Sequence, residues 1–368
     1  PLLHSETWKQ VGGAAAVLAI VISVVHISRH LRYNRSKEIK RCTLRILLLV
    51  PFYALDCFLS LVLSGGQREW PYLLTTFREF YEAVVLSAFM QLVLTFLGRK
   101  KDGSMGGPQA VGEAFCTAMR KPSHESMSSR LAFIPVIYSP GASFVSGVLI
   151  GILQYALVMV VVLVADVSIW LWWGAQIRLL CSDGPFCVWK IPFYMKAVSC
   201  GWAMYNLTLF YFEAKMCKEL RERLELIHPH NKFFSVKMII FFTFFQKLIV
   251  STVLKDWFHM FDIFAGGPQH WTPDVVAEGL QTFLLCLEML LFAIWHTQAY
   301  PVDEFNRLDA AIALQAAIGK RSRLDLKSAV QEAVDAGLGR EPDPSDRMGL
   351  EWKALLLQAR ELLEQLYP

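Results

Sequence analysis

The chain has 368 residues, 54% hydrophobic and only 18% charged, with a net charge of +4 and a mean hydropathy of +0.38. Soluble domains carry about 25% charged residues. The composition therefore excludes a soluble globular protein, a disordered chain and a small disulfide-stapled secreted domain, and it places the chain among membrane proteins.

Crossing the hydrocarbon core takes about 20 mostly apolar residues as a helix. Seven stretches qualify: 8–27, 44–63, 80–97, 144–165, 192–212, 233–254 and 276–295. None alternates with a period of two, so a β-barrel is not expected. The expected fold is an all-α integral membrane protein with seven transmembrane helices.

Basic residues alternate between the two sides. The segments after the first, third and fifth spans hold eighteen Lys and Arg, among them Arg29, Arg32, Lys37, Arg41, Arg45 and Lys232, against five on the other side. The positive-inside rule then puts the N-terminus outside and the C-terminus in the cytosol. An odd number of spans satisfies this pattern.

The segment 98–141 carries Gly103, Gly106, Gly107, Pro108 and several serines and reads as a flexible connection. After the last span the chain changes character. Residues 302–368 hold 12 acidic and 9 basic residues and no run long enough to span. Leu308 and Ile312, then Leu326, Val330 and Val334, have helical spacing. Gly337 and Gly339 stop the second helix, and 352–366 reads as a third. The expected organisation is a transmembrane domain over 1–305 and a cytosolic helical tail over 306–368.

Cys57, Cys200 and Cys286 lie within spans as packing residues. Cys181 and Cys187 share one outer loop, where a disulfide is compatible with the compartment. The sequons at Asn34 (cytosolic) and Asn206 (mid-membrane) are not expected to carry glycans.

Charges inside a bilayer cost about 2.5–3.5 kcal/mol each on insertion scales, so they mark a cavity, a pairing or a pathway. Asp56 and Glu82 fall in the outer halves of the second and third spans, with Arg78 as the local cation. Lys247 and Glu288 fall near the middle of consecutive spans, where antiparallel neighbours at equal depth pair; structural and functional pairs look alike from sequence. Gln246 and Asn206 add polar atoms at that depth, and His296 follows Glu288 by two turns on the same face. These residues (Asp56, Glu82, Asn206, Gln246, Lys247, Glu288 and His296) are the substrate-pathway candidates.

Enzyme signatures are missing: no P-loop, no G-x-S-x-G and no H-E-x-x-H occurs. His26 and His30 have i, i+4 spacing without an acidic or Cys ligand nearby. No catalytic residue, metal, cofactor or nucleic-acid partner is expected.

Several phrases carry a family resemblance. VPFYALDCFLSL (50–61), REFYEA (78–83), LQY (153–155), AMYNLTLFY (203–211), KFFSVKMIIFFTFFQ (232–246) and CLEMLLFAIWHTQAYP (286–301) occur in order. Together they resemble the organic solute transporter alpha / transmembrane protein 184 superfamily, and the Asp56 phrase resembles its transmembrane protein 184 and plant-like branch. The resemblance implies seven helices with the N-terminus outside. It further implies a facilitative carrier of amphipathic organic solutes such as steroid or bile-acid-like anions. It also implies a setting among membrane lipids, with a single-span beta-type subunit or a homo-oligomer as partner, in the plasma membrane or in an endomembrane or vacuole. The other class open to such a chain is a seven-helix receptor or trafficking scaffold acting through its cytosolic tail.

Overall fold

The computed structural model describes residues 6–34, 36–63, 69–98, 107–119, 142–173, 190–225, 229–250, 273–339 and 347–366. Among these residues the regular structure is helical, with no strand. In chain order the helices are α1 (Glu6–Tyr33), α2 (Lys37–Leu47), α3 (Leu49–Leu63), α4 (Glu69–Leu97), α5 (Gly107–Met119), α6 (Ala142–Trp173), α7 (Lys190–Met216), α8 (Lys218–Glu225), α9 (Pro229–Leu248) and α10 (Pro273–Ala299). The tail adds α11 (Glu304–Lys320), α12 (Arg323–Asp335) and α13 (Arg347–Leu366).

Among the described residues five stretches are long and apolar enough to cross a membrane: Thr7–Tyr33, Lys37–Val62, Leu74–Leu97, Ser143–Ser168 and Gly279–Ala299. The segments 192–212 and 233–254, also expected to span, fall on α7 and α9, whose Lys and Glu residues lower their apolarity; residues 251–254 lie outside the described set.

The second stretch is two helices. α2 buries Ile39, Cys42, Thr43, Ile46 and Leu47 and carries basic residues on its other face. The break at Leu48 follows from Pro51, which has no N–H for the Leu47 carbonyl. The bond from Leu48 N–H to Leu44 O and from Phe52 N–H to Leu48 O keep the two helices nearly in phase.

α1, α3 and α10 form one layer. Small residues let α1 approach closely, as in membrane helix pairs generally. Ala16 and Ala19 are fully buried, and a Cβ on Gly12 would lie 3.1 Å from both Leu61 and Phe283. α4 is the central helix: it packs on α3, on α6 and, toward its C-terminal end, on α2. α6 carries α7, while α9 lies on α10 and touches α4. Between α4 and α6 the connection expected to be flexible contains α5, which buries Val111 and Phe115 against α6. The flanking residues 99–106 and 120–141 lie outside the described set.

The tail has its own apolar core from Ala310, Ala311, Leu314, Ala317, Leu326, Ala329, Ala333, Leu338, Leu356 and Ala359. The expected stop at Gly337 is a Schellman motif: Gly337 has φ 81°, its N–H donates to Val334 O, and Leu338 N–H donates to Ala333 O. The tail is also fastened to the helices before it. Lys232 Nζ lies 2.7 Å from Glu304 Oε2, Asn306 Nδ2 donates to Tyr33 O at 2.7 Å, and Leu308 packs into the larger core. Burial lowers the pKa of Lys232 below the ordinary lysine value, and Glu304 acts in the opposite sense.

Candidate functional site

One face of α4 organises the polar and aromatic groups of the bundle. Glu79, Glu82, Leu86, Phe89 and Val93 recur at spacings of three and four, so they form a single stripe along the helix. Its N-terminal end is acidic and its C-terminal end apolar.

At the N-terminal end each acidic group reaches a different helix. Glu79 Oε2 pairs with Lys196 Nζ of α7 at 2.5 Å, with both side chains partly exposed (27% and 18%). The Glu82 carboxylate accepts the hydroxyl of Tyr53 on α3. One turn before Glu82, Arg78 Nη1 pairs with Asp56 Oδ2 at 2.7 Å, and the guanidinium lies 5.1 Å from the centre of the Tyr53 ring. Asp56, Arg78 and Glu82 are all buried. Thr76 Oγ1 donates to Asp166 Oδ2 of α6 at 3.2 Å, which adds a second buried carboxylate held by a hydroxyl. Buried charges at this depth are tolerated when paired and hydrogen-bonded.

At the C-terminal end the stripe becomes an aromatic cluster. Phe233 of α9 stacks on Tyr211 of α7 with centroids 6.2 Å apart, and lies 5.9 Å from Phe89 of α4. Phe89, Val93, Leu207, Phe210, Tyr211 and Phe233 line a small apolar pocket there. Among the described residues α7 and α9 do not pack along their lengths, so this stack is where the two helices meet over α4.

The sequence candidates divide into separate places. Asp56 and Glu82 join one network through α4, with Arg78 as the expected cation for Asp56. Gln246 Nε2 donates to Glu288 Oε1 at 3.0 Å between α9 and α10; among the described residues Glu288 Oε2 and Gln246 Oε1 have no hydrogen bond. The Lys247 side chain, and with it the expected Lys247–Glu288 pair, lies outside the described residues, as do Cys181 and Cys187. Asn206 faces α6: its Nδ2 donates to Trp202 O at 2.8 Å, and its amide occupies the space a Cβ on Gly151 would take, 2.5 Å away. It therefore belongs to the α6–α7 seam and not to the Gln246–Glu288 contact.

His296 is buried, its ring 5.7 Å from that of Tyr300, two turns from Glu288. His26 and His30 converge on the same residue. Their Nε2 atoms lie 2.9 Å and 3.0 Å from the Tyr300 carbonyl oxygen and 3.2 Å from each other. Two ring N–H groups on one carbonyl, with its two lone pairs, satisfy an orphan acceptor at the end of α10. Among the described residues no group of three or more His, Cys, Asp or Glu is placed to hold a metal ion.

Sequence reasoning passed over Glu79, Tyr53 and the Phe89–Tyr211–Phe233 closure. The heptad-like spacing of 79, 82, 86, 89 and 93 was the available signal.

Apolar helices of spanning length around a buried polar network define a multi-pass integral membrane protein. The family model described as Organic solute transporter Ostalpha matches residues 8–305, and the chain belongs to that family. The family is one of solute transporters rather than enzymes. No solved structure matches the chain significantly.

Proposed function

We propose that the chain is a facilitative transporter, or a transporter subunit, for amphipathic organic solutes such as steroid or bile-acid-like anions. The observation that carries this reading is the α4 stripe, whose polar end at Glu79 and Glu82 continues into the apolar end at Phe89 and Val93. An amphipathic solute has the same division along its length. Its anionic head would exchange with Glu79 for the ammonium of Lys196, the more accessible of the two paired cations, while its ring system lies over Leu86 and Phe89. The Phe233–Tyr211 stack closes the inner end, and its separation opens the path to the other side.

In this reading α7 and α9 complete seven spans, with the N-terminus outside and the tail in the cytosol. The division is a transmembrane domain over 1–305 and a helical tail over 306–368, and the chain sits in the transmembrane protein 184 and plant-like branch. Gln246 and Glu288 form a second polar station between α9 and α10. A single-span beta-type subunit or a second copy of the chain, in the plasma membrane or an endomembrane, completes the assembly. The basic surplus on the proposed cytosolic side supports the orientation.

The test is flux of radiolabelled steroid sulfate into liposomes holding only the purified chain. Saturable, trans-stimulated uptake that Lys196→Met removes supports the reading. Uptake no greater than in empty liposomes, both alone and with a co-reconstituted single-span subunit, overturns it.

A further inference from the structure

The basic end of α2 and the exposed face of α3 form one continuous surface. Lys37, Arg41 and Arg45 stand at i, i+4 and i+8, exposed, about 6 Å apart along the axis. Leu48, Phe52 and Leu55 continue the same face at spacings of three and four and are exposed as well (44%, 37% and 47%). The near-unbroken hydrogen bonding through Leu48 keeps the two halves in register. Tyr81 of α4 fixes one side: its hydroxyl donates to Arg45 O at 2.8 Å, and its ring stacks on Phe52 at 4.9 Å. Among the described residues no ion pair joins Lys37, Arg41 or Arg45 to a carboxylate, whereas the other charges near α4, such as Arg78 and Lys196, are paired.

From this juxtaposition we infer that Lys37, Arg41 and Arg45 with Leu48, Phe52 and Leu55 form a binding site for a single anionic phospholipid. The three cations hold the phosphate-bearing headgroup, and an acyl chain lies along the apolar residues beside Tyr81. The argument is complementarity along the whole surface. A row of cations at headgroup level attracts anionic lipid at any membrane protein, but here it leads into an exposed apolar stripe on the same face, which a soluble phosphate compound would leave uncovered. Arg29 and Arg32 on α1 are exposed as well and run into exposed Val25 and Val21, so they supply an internal comparison that lacks the third cation and the Tyr81–Phe52 stack. The inference rests on the reading of 37–62 as one membrane-crossing unit with its basic end in the cytosol.

The experiment is native mass spectrometry of the full chain extracted from liposomes of phosphatidylcholine with phosphatidylserine or phosphatidylinositol 4-phosphate. The chain is expected to retain one anionic lipid in preference to phosphatidylcholine. Each Lys or Arg near an anionic surface contributes enough that the Lys37→Gln/Arg41→Gln/Arg45→Gln variant should lose retention by about tenfold or more. The Arg29→Gln/Arg32→Gln variant should retain lipid as the parent does, and Leu48→Ser/Leu55→Ser should lose it with all five cations in place. Unchanged retention in the first variant, or equal loss in the second, overturns the site in favour of a diffuse basic surface. Labelling of Lys37→Cys by an impermeant reagent reports orientation separately. Labelling from outside overturns the cytosolic placement while leaving lipid retention to be judged on its own.

Discussion

Lys196 of α7 and Glu79 of α4 form an ion pair of 2.5 Å across two helices that do not pack on each other along their lengths. Both ends of the pair keep some exposure. In the proposed transport cycle Lys196 is the cation from which an incoming anion displaces a carboxylate. A hydrogen bond to a charged group contributes about 1.5–3 kcal/mol. Lys196→Met is expected to lower uptake of a steroid sulfate by about tenfold or more, and uptake of the uncharged parent steroid by less than about twofold. Equal losses for both solutes would show a structural role only.

Glu79→Gln tests the same exchange from the other side. It leaves Lys196 without its competing carboxylate, so the apparent KM for anionic solute should fall while the maximal rate changes little. A rise in KM would mean that Glu79 positions Lys196 and does not compete with solute.

The aromatic closure makes a different demand. Phe233 touches both Tyr211 and Phe89, and the Lys237 ammonium lies 5.1 Å from its ring centre. Phe233→Ala is expected to leave a chain that folds, with a stability loss of at most about 3 kcal/mol for a half-buried ring, and that leaks. Efflux of preloaded steroid sulfate should lose its dependence on solute outside. Phe233→Leu, which keeps the volume without the stack, should fall between the two. Retained trans-stimulation in Phe233→Ala would place the gate elsewhere.

Hydropathy and charge made the class of fold legible, because a span needs only length and apolarity, and these are local. The tail helices were legible for the same reason, down to the stop at Gly337, where a single glycine φ carries the signal. Partner choice inside the membrane was not. Arg78 was recognisable as the cation for Asp56, yet Glu82 found a tyrosine hydroxyl and Lys196 found Glu79. Which charge meets which depends on the rotation and vertical register of whole helices, and hydropathy is blind to both. Asn206 shows the same limit: mid-span polarity read as a pathway signal, whereas its amide fills the gap opposite Gly151. α2 and α5 were missed because short amphipathic helices beside a membrane resemble charged or glycine-rich loops in composition.

The Asn206 placement is itself testable. With the amide 2.5 Å from a Cβ at position 151, Gly151→Ala forces α6 and α7 apart. Overpacking of this kind costs about 1–3 kcal/mol. Melting of the detergent-solubilised chain, followed by tryptophan fluorescence, should fall in Gly151→Ala and recover in large part in Gly151→Ala/Asn206→Ala. A double variant no more stable than Gly151→Ala would remove Asn206 from the seam.

Lys232 and Glu304 tie the start of the tail to α9, and both side chains are almost wholly withdrawn from solvent (3% and 9%). Breaking a buried pair from one side costs about 3–5 kcal/mol, chiefly because a charge is left behind without its partner. Glu304→Leu should therefore destabilise the chain more than Lys232→Met/Glu304→Leu does, and that inverted order separates a buried pair from an exposed one. The same contact bears on what the tail does. Asn306 and Leu308 attach beside Glu304, to Tyr33 and to the larger core, so the first turns of α11 pack as part of the helices before them. Truncation after residue 320 should leave flux intact, whereas truncation before Glu304 should abolish it together with thermal stability. Flux lost on removing only α12 and α13, with melting unchanged, would assign those helices a role in transport beyond packing.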